Sequence, residues 1–150
     1  QYLVPADAAS LLKFRDSLSN DLVDVKYEVN ISNVKLGCLS EIDRKTRNGS
    51  MEIDVNLSFS GELGPANPDR KIQFEYFISI VSPDQKVLDQ KAIPIIINFP
   101  RNKTKINFST EPVFVTLQIK TEKPVNYYRI FVGLKLTKDE VHYNRKRIMN

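Results

Sequence analysis

Hydrophobic and polar residues alternate along much of the chain. Every second residue is apolar over residues 23–31, and the same period of two returns over residues 51–59. Successive side chains of a β-strand leave opposite faces of the sheet, so this period predicts strands with one buried face. A third alternating segment, residues 72–80, also has Phe77 on its opposite face, which predicts a strand that is covered on both sides.

Four further strands are predicted by shorter apolar segments, at residues 87–99, 104–108, 113–119 and 127–134. Turn signals such as Asn48-Gly49 separate the segments. Pro94 falls inside the fourth strand, and because proline has no amide hydrogen it predicts an edge strand or a bulge. About seven strands at this spacing predict an all-β fold, an antiparallel sandwich of immunoglobulin-like architecture. The chain has no tryptophan, so it lacks the Cys–Trp–Cys hallmark of antibody domains.

The N-terminal segment shows no strand alternation. Residues 5–14 begin with a proline and continue with good helix formers, which predicts a short helix or an arm docked on the sandwich. We assign residues 1–20 to this arm. No internal repeat or low-complexity tract divides the remainder, so residues 1–150 are expected to form one domain, long enough for one substantial core.

A C-terminal helix is predicted over residues 137–148. A threonine and a glutamate three residues apart form a capping box, and an apolar pair around them has the spacing of a hydrophobic staple. The predicted structural cap is formed by Leu136, Thr137, Glu140 and Val141. The candidate contact patch on the same helix is formed by Tyr143, Arg145, Lys146 and Arg147. If buried against the sheet, Tyr143 and Arg145 would lock the fold; if exposed together, they would form a contact surface.

Residue types that carry chemistry are sparse. His142 is the only histidine and Cys38 the only cysteine, too few for a metal-ligand set or a nucleophile with its base. We expect His142 to be an exposed helix residue and Cys38 to be a small buried apolar residue rather than a reactive thiol. Phosphate loops and nucleophile elbows are absent from the sequence. These observations predict a protein that is not an enzyme and that uses no cofactor or metal.

The positive charge raises the alternative of nucleic-acid binding. The formal net charge is +4 and the isoelectric point is near 9.1. The cations are mostly dispersed, and the densest run is at residues 145–147. Single-strand binding needs exposed aromatic residues interleaved with cations, and the nearest approaches, residues 71–74 and 127–129, fit core strands equally well. A nucleic-acid-binding basic β-domain therefore stays an alternative.

Three segments of the chain have familiar sequences, and the last of them is the distinctive one. They are residues 6–11 (ADAASL), residues 21–25 (DLVDV) and residues 131–145 (FVGLKLTKDEVHYNR). Together they resemble a group of small alphaproteobacterial lipoproteins of unassigned function, in which the closing segment is similar to GFQLTPEELAYNR. The resemblance implies no catalytic residue.

The resemblance also implies a location and a role. A lipidated cysteine would lie upstream of residue 1, because none precedes Tyr2, and would hold the domain at the periplasmic face of a bacterial membrane, expected to be the outer membrane. We therefore expect a non-enzymatic, membrane-tethered envelope lipoprotein domain that acts as a binding or structural module for an envelope protein. Pairing at a sheet edge is one candidate mechanism. The alternative is a surface-displayed interaction module of a host-contact or secretion assembly.

Overall fold

The structure, a computed structural model, describes residues 2–15, 21–46, 48–119 and 128–149. Nine strands and one helix lie within these ranges, and that helix is not long and apolar enough to cross a membrane. The helix, α1, spans Lys138–Met149, and two 3-10 turns lie at Ala6–Ala8 and Leu22–Asp24. The strands are β1 (Tyr2–Leu3), β2 (Ser10–Phe14), β3 (Val25–Ile42), β4 (Gly49–Leu63), β5 (Lys71–Val81), β6 (Val87–Asn98), β7 (Lys105–Ser109), β8 (Val113–Ile119) and β9 (Arg129–Leu134).

The strands form two sheets. One has the order β1-β9-β5-β6, and the other has the order β2-β3-β4-β7, with β8 also pairing with β4. Apart from the parallel β1–β9 pair, the pairings between described strands are antiparallel. The chain crosses from one sheet to the other after β1, β4, β6 and β8. This arrangement is an immunoglobulin-like antiparallel sandwich, so the predicted fold class is confirmed.

The hydrophobic core lies between the two sheets. Phe59 of β4 is fully buried at its centre and packs edge-to-face on Phe74 of β5, with 5.1 Å between ring centroids. Its ring also lies 5.5 Å from the rings of Tyr76 and Phe108. Burial alternates with a period of two along β4 and along most of β5, as the sequence pattern predicts. The alternation therefore identifies the inward face of each long strand.

The N-terminal arm differs from one of its two predictions. Over residues 2–15 helical structure is confined to the 3-10 turn at Ala6–Ala8, and Ser10–Phe14 form β2 instead. Pairing with β3 satisfies the backbone of β2, and the strand buries Leu11 and Leu12, which outweighs the local helix preference. The arm is docked on the sandwich, as the other alternative predicts. Residues 1 and 16–20 of the predicted arm lie outside the described residues.

The docked arm covers the outer face of β5. A Cβ added to Gly133, which is paired with Phe77, would lie 2.8 Å from the Phe77 ring and 3.0 Å from the Ala8 Cβ. Ser79 on the same outer face is buried. The prediction that this strand is covered on both sides is therefore confirmed around Phe77 and Ser79, whereas Gln73 on the same face is exposed. Gly133 is required where the arm approaches the sheet.

Strand β3 is longer than its clearest alternation. Between Ile31 and Asn33 the register with β4 shifts by a β-bulge, and the strand then continues to Ile42. A bulge inserts an extra residue and interrupts the period of two, so the pattern alone does not reveal the continuation. The last predicted strand begins at Arg129 within the described residues, and Tyr127 lies outside them.

Candidate functional site

Helix α1 begins at the cap that the sequence contains. The Thr137 amide donates a hydrogen bond to Glu140 Oε1 at 2.9 Å, and the Glu140 amide donates to Thr137 Oγ1 at 3.2 Å. Leu136 is partly buried against the core, and Val141 is half-buried. These reciprocal bonds satisfy two amides that would otherwise lack partners at the helix start, and they place α1 directly after β9.

Asn144 ties α1 to the N-terminal arm. The residue is only 3% exposed, and its Nδ2 donates to the Asp7 carbonyl oxygen at 3.0 Å and to the Ser10 carbonyl oxygen at 2.6 Å. The first carbonyl belongs to the 3-10 turn and the second to the first residue of β2. A single buried amide therefore satisfies two backbone acceptors that are far away in sequence.

The candidate contact patch is divided between separate contacts. Tyr143 is half-buried and packs edge-to-face on Phe14 of β2, with 5.4 Å between ring centroids. Arg147 lies over the Tyr143 ring at 5.8 Å, and one of its Nη atoms is 4.0 Å from Glu28 Oε1. Tyr143 is thus a packing residue between the helix and β2.

The remaining cations of the patch have different surroundings. Arg145 Nε donates to Asp7 Oδ2 at 2.8 Å, beside the carbonyl that Asn144 holds. Lys146 is exposed and has no ion-pair partner among the described residues. Two of the three clustered cations therefore lie beside carboxylates of the domain. Tyr143 is half-buried whereas Arg145 is exposed, so the two residues are neither buried together against the sheet nor exposed together.

The two residues considered for chemistry are both exposed. His142 is exposed on α1, as expected. Cys38 is exposed as well, so the prediction of a buried cysteine is wrong. β2 accompanies β3 only as far as Asn30, and Cys38 therefore lies where this side of β3 has no neighbouring strand among the described residues. Within the same residues no group of three or more His, Cys, Asp or Glu side chains is placed to hold a metal ion.

A groove of about 490 Å³ opens where the start of α1 meets both sheets. Its walls include Leu11, Phe74 and Leu136, together with two ion pairs. The pairs join Lys13 to Glu140 at 3.6 Å and Lys135 to Glu75 at 3.3 Å. Across the floor the Tyr27 hydroxyl donates to the Gln73 carbonyl oxygen and so links β3 to β5. The groove thus combines an apolar wall with two ion pairs and with Lys26, for which no ion pair is found among the described residues.

Alkaline pH is expected to weaken the sandwich through two tyrosines. Burial raises the pKa of Tyr27 and the pKa of Tyr76 above the usual value of 10.0. An unfolded chain releases these phenol protons near pH 10, whereas the folded chain retains them to higher pH. The contribution of the two tyrosines to the free energy of unfolding is therefore complete below about pH 10 and is lost as the pH rises through their raised pKa values. We expect the free energy of unfolding, measured in urea, to fall as the pH rises above about 10, through the raised pKa values of the two tyrosines. The double substitution Tyr27→Phe and Tyr76→Phe should make this fall shallower, and an unchanged slope would contradict the assignment.

Strand β6 is an edge strand with apolar residues on both faces. Among the described residues it pairs only with β5, which confirms the edge position that Pro94 predicts. On the inner face Ile93, Ile95 and Ile97 are only partly buried against the core. On the outer face Ile96 is 60% exposed. Strands that are apolar on both faces are usually central in a sheet, so this segment has the composition of a strand that lacks a neighbour.

The two halves of β6 differ in their protection against further pairing. In the first half Lys91 lies opposite the buried Ile78, and its Nζ donates to the Phe114 carbonyl oxygen of β8 at 2.8 Å. Charges that point inward and prolines are devices that discourage pairing at an edge, and this half contains Lys91 and ends at Pro94. The second half, residues 95–98, carries neither device. The accessible edge is therefore the isoleucine-rich end of β6.

No protein-family model matches the chain, and no curated protein matches it. Among solved structures the chain is similar to the variable (V) domain of the AgI/II polypeptide BspA of Streptococcus agalactiae. The TM-score is 0.24 and the sequence identity is 9%, over 89% of this chain and 76% of the other. A similarity at this level carries no argument about function.

Proposed function

We propose that this chain is a non-enzymatic binding module of a bacterial envelope, tethered to a membrane by a lipid upstream of residue 1. It binds an extended segment of an envelope protein alongside residues 95–98 of β6. The observation that carries this proposal is the open, isoleucine-rich end of that edge strand. An added strand would satisfy backbone groups of the edge and would cover side chains that the domain itself leaves partly exposed.

The side chains of β6 explain why this edge favours an apolar partner. Ile95 and Ile97 lie opposite the buried Phe74 and Ile72, so a neighbouring strand would extend the core by another row. Burial of apolar surface contributes about 25 cal/mol per Å². Backbone pairing supplies alignment, and the isoleucine rows select aliphatic side chains on the partner.

The proposed tether rests on the resemblance to bacterial lipoproteins. The attachment of the N-terminal arm to the folded domain supports it. β1 pairs with β9, and the following residues are held by Asn144 and Arg145 of α1. An attachment upstream of residue 1 would therefore pull on a segment that is joined to the folded domain at several points. Multiple acyl chains are needed for stable anchoring, at about 0.8 kcal/mol per buried methylene.

Site-specific photocrosslinking tests the binding edge. A photoreactive side chain would replace Ile96 in one variant and Ile148, which is 56% exposed on α1, in a matched control. In intact cells of the native organism we expect the variant at position 96 to crosslink to one extended segment of an envelope protein, and the variant at position 148 not to reach that segment. Identical products at both positions, or none at position 96, would reject the edge as the binding site.

Metabolic palmitate labelling tests the tether separately. The full-length native gene product is expected to incorporate label and to sediment with the membrane fraction. An unlabelled product that stays in the supernatant would remove the lipoprotein part of the proposal, and crosslinking would then decide the binding part alone.

A further inference from the structure

Five cations from two separate segments of the chain meet at one end of the sandwich. We call this group the basic end; it consists of Arg70, Lys71, Arg101, Lys103 and Lys105. One backbone bond joins its two segments, because the Phe99 amide donates to the Arg70 carbonyl oxygen at 2.9 Å. A second, from the Leu63 amide to the Thr104 carbonyl oxygen at 2.8 Å, holds the later segment beside the end of β4. The group is therefore assembled by the tertiary fold.

Arg70 contacts the loop that carries Arg101 and Lys103. Its Nη2 donates to the carbonyl oxygens of Pro100 and Lys103, and these hydrogen bonds stabilise the loop that follows β6. Its Nε is buried and has no hydrogen-bond partner among the described residues. The residue has a φ of 58°, a conformation that non-glycine residues rarely adopt. A fixed guanidinium thus supports a loop whose other cations point into solvent.

The remaining cations of the basic end are not neutralised by the domain. Lys71, Arg101, Lys103 and Lys105 are exposed, and none makes an ion pair among the described residues. Two carboxylates lie nearby. The Asp69 carboxylate accepts the Lys71 amide, and Glu62 lies opposite Lys105 in the β4–β7 pair. Positive charge therefore dominates here, in contrast to the cations of α1, two of which lie beside carboxylates.

The basic end adjoins the open end of β6. Asn98, the last residue of β6, lies opposite Lys71, and the loop that carries Arg101 and Lys103 begins directly after it. That loop runs from β6 to β7, the edge strands on one side of the two sheets. A strand added beside residues 95–98 would therefore have one of its ends next to this group of cations.

We infer that the segment bound at β6 carries acidic residues at the end that reaches the basic end. This inference rests on the proposed function, because it specifies the partner of the same edge. The isoleucines select an aliphatic stretch, and the lysines and arginines select the carboxylates beside it. An antiparallel partner would have its acidic residues before the aliphatic stretch, whereas a parallel partner would have them after it. Charge placed at one end fixes direction and register, which uniform aliphatic pairing leaves open.

Three synthetic peptides test the inference with the full domain. They share one aliphatic, strand-forming stretch and carry glutamates before it, glutamates after it, or serines in place of the glutamates. Binding is measured by titration, and protection of the β6 amides by hydrogen exchange. We expect one acidic peptide to bind about tenfold more tightly than the serine peptide, with a preference that weakens in salt, as several partly exposed ion pairs would produce.

A pair of charge-matched variants locates the effect. Replacing Arg101, Lys103 and Lys105 by glutamine should abolish the preference for the acidic peptide and leave the affinity for the serine peptide unchanged. Replacing Lys35 in the middle of β3 together with Arg44 and Lys45 in the β3–β4 turn removes the same charge and should change neither. Equal effects of the two triple variants would overturn the inference.

The peptides also separate the two proposals. If the serine peptide protects the β6 amides and neither acidic peptide binds more tightly, the inference of an acidic partner is wrong. The proposal that β6 is the binding edge is then unaffected. If an acidic peptide binds without protecting β6, the basic end is an anion site of its own and the inference is wrong. Failure of all three peptides to protect β6 overturns both the edge and its acidic partner.

Discussion

Replacing Phe59 by alanine is expected to lower the free energy of unfolding by about 3–5 kcal/mol, the usual cost of removing a buried aromatic side chain. Phe59 is fully buried, and its ring contacts rings from both sheets, those of Phe74, Tyr76 and Phe108. The truncation would leave a cavity at the point where the sheets hold each other, and neighbouring rings could collapse into it only partly.

Urea denaturation followed by circular dichroism measures this loss. Phe114→Ala is the matched control, because Phe114 lies on β8 with 55% of its surface exposed and should change stability by no more than about 0.5 kcal/mol. A cost for Phe59→Ala as small as that of the control would show that the two sheets are not held together by this cluster.

Asn144→Asp is expected to cost about 2–4 kcal/mol, because two partly buried carbonyl oxygens lose the donor that a buried side chain supplies. The substitution preserves the shape of the side chain and replaces its amide by an acceptor. The carboxylate would then face the carbonyl oxygens of Asp7 and Ser10 at the distances that Asn144 now bridges, 3.0 and 2.6 Å. We expect the N-terminal arm to detach from α1 before the sandwich unfolds.

Hydrogen exchange and urea denaturation together check this prediction. Residues 6–14 should lose amide protection, and the free energy of unfolding should fall. Asn102→Asp makes the same chemical change at an exposed position and should alter stability by no more than about 0.5 kcal/mol. If Asn144→Asp behaves like Asn102→Asp, the two hydrogen bonds do not hold the arm.

The sequence by itself determined the features that depend on near neighbours. The period of two over residues 51–59 identified a strand and its inward face, because side-chain direction depends only on backbone geometry. The capping residues Thr137 and Glu140 marked the start of α1 for the same reason, since both hydrogen bonds span three residues. Pro94 marked an edge strand because a missing amide hydrogen restricts the positions that a residue can occupy.

Only the tertiary structure decided the features that depend on distant partners. Segment 10–14 could have been a helix, and pairing with β3 made it a strand. In the sequence Arg145 and Arg147 belong to an unpaired basic run, whereas in the structure Asp7 and Glu28 lie beside them. Conversely, Arg70 and Lys71 are dispersed charges in the sequence, whereas in the structure the segment after β6 places three further cations near them. Local patterns specify direction and burial, whereas charge balance, sheet edges and exposed surfaces arise from contacts between segments that the sequence alone does not place together.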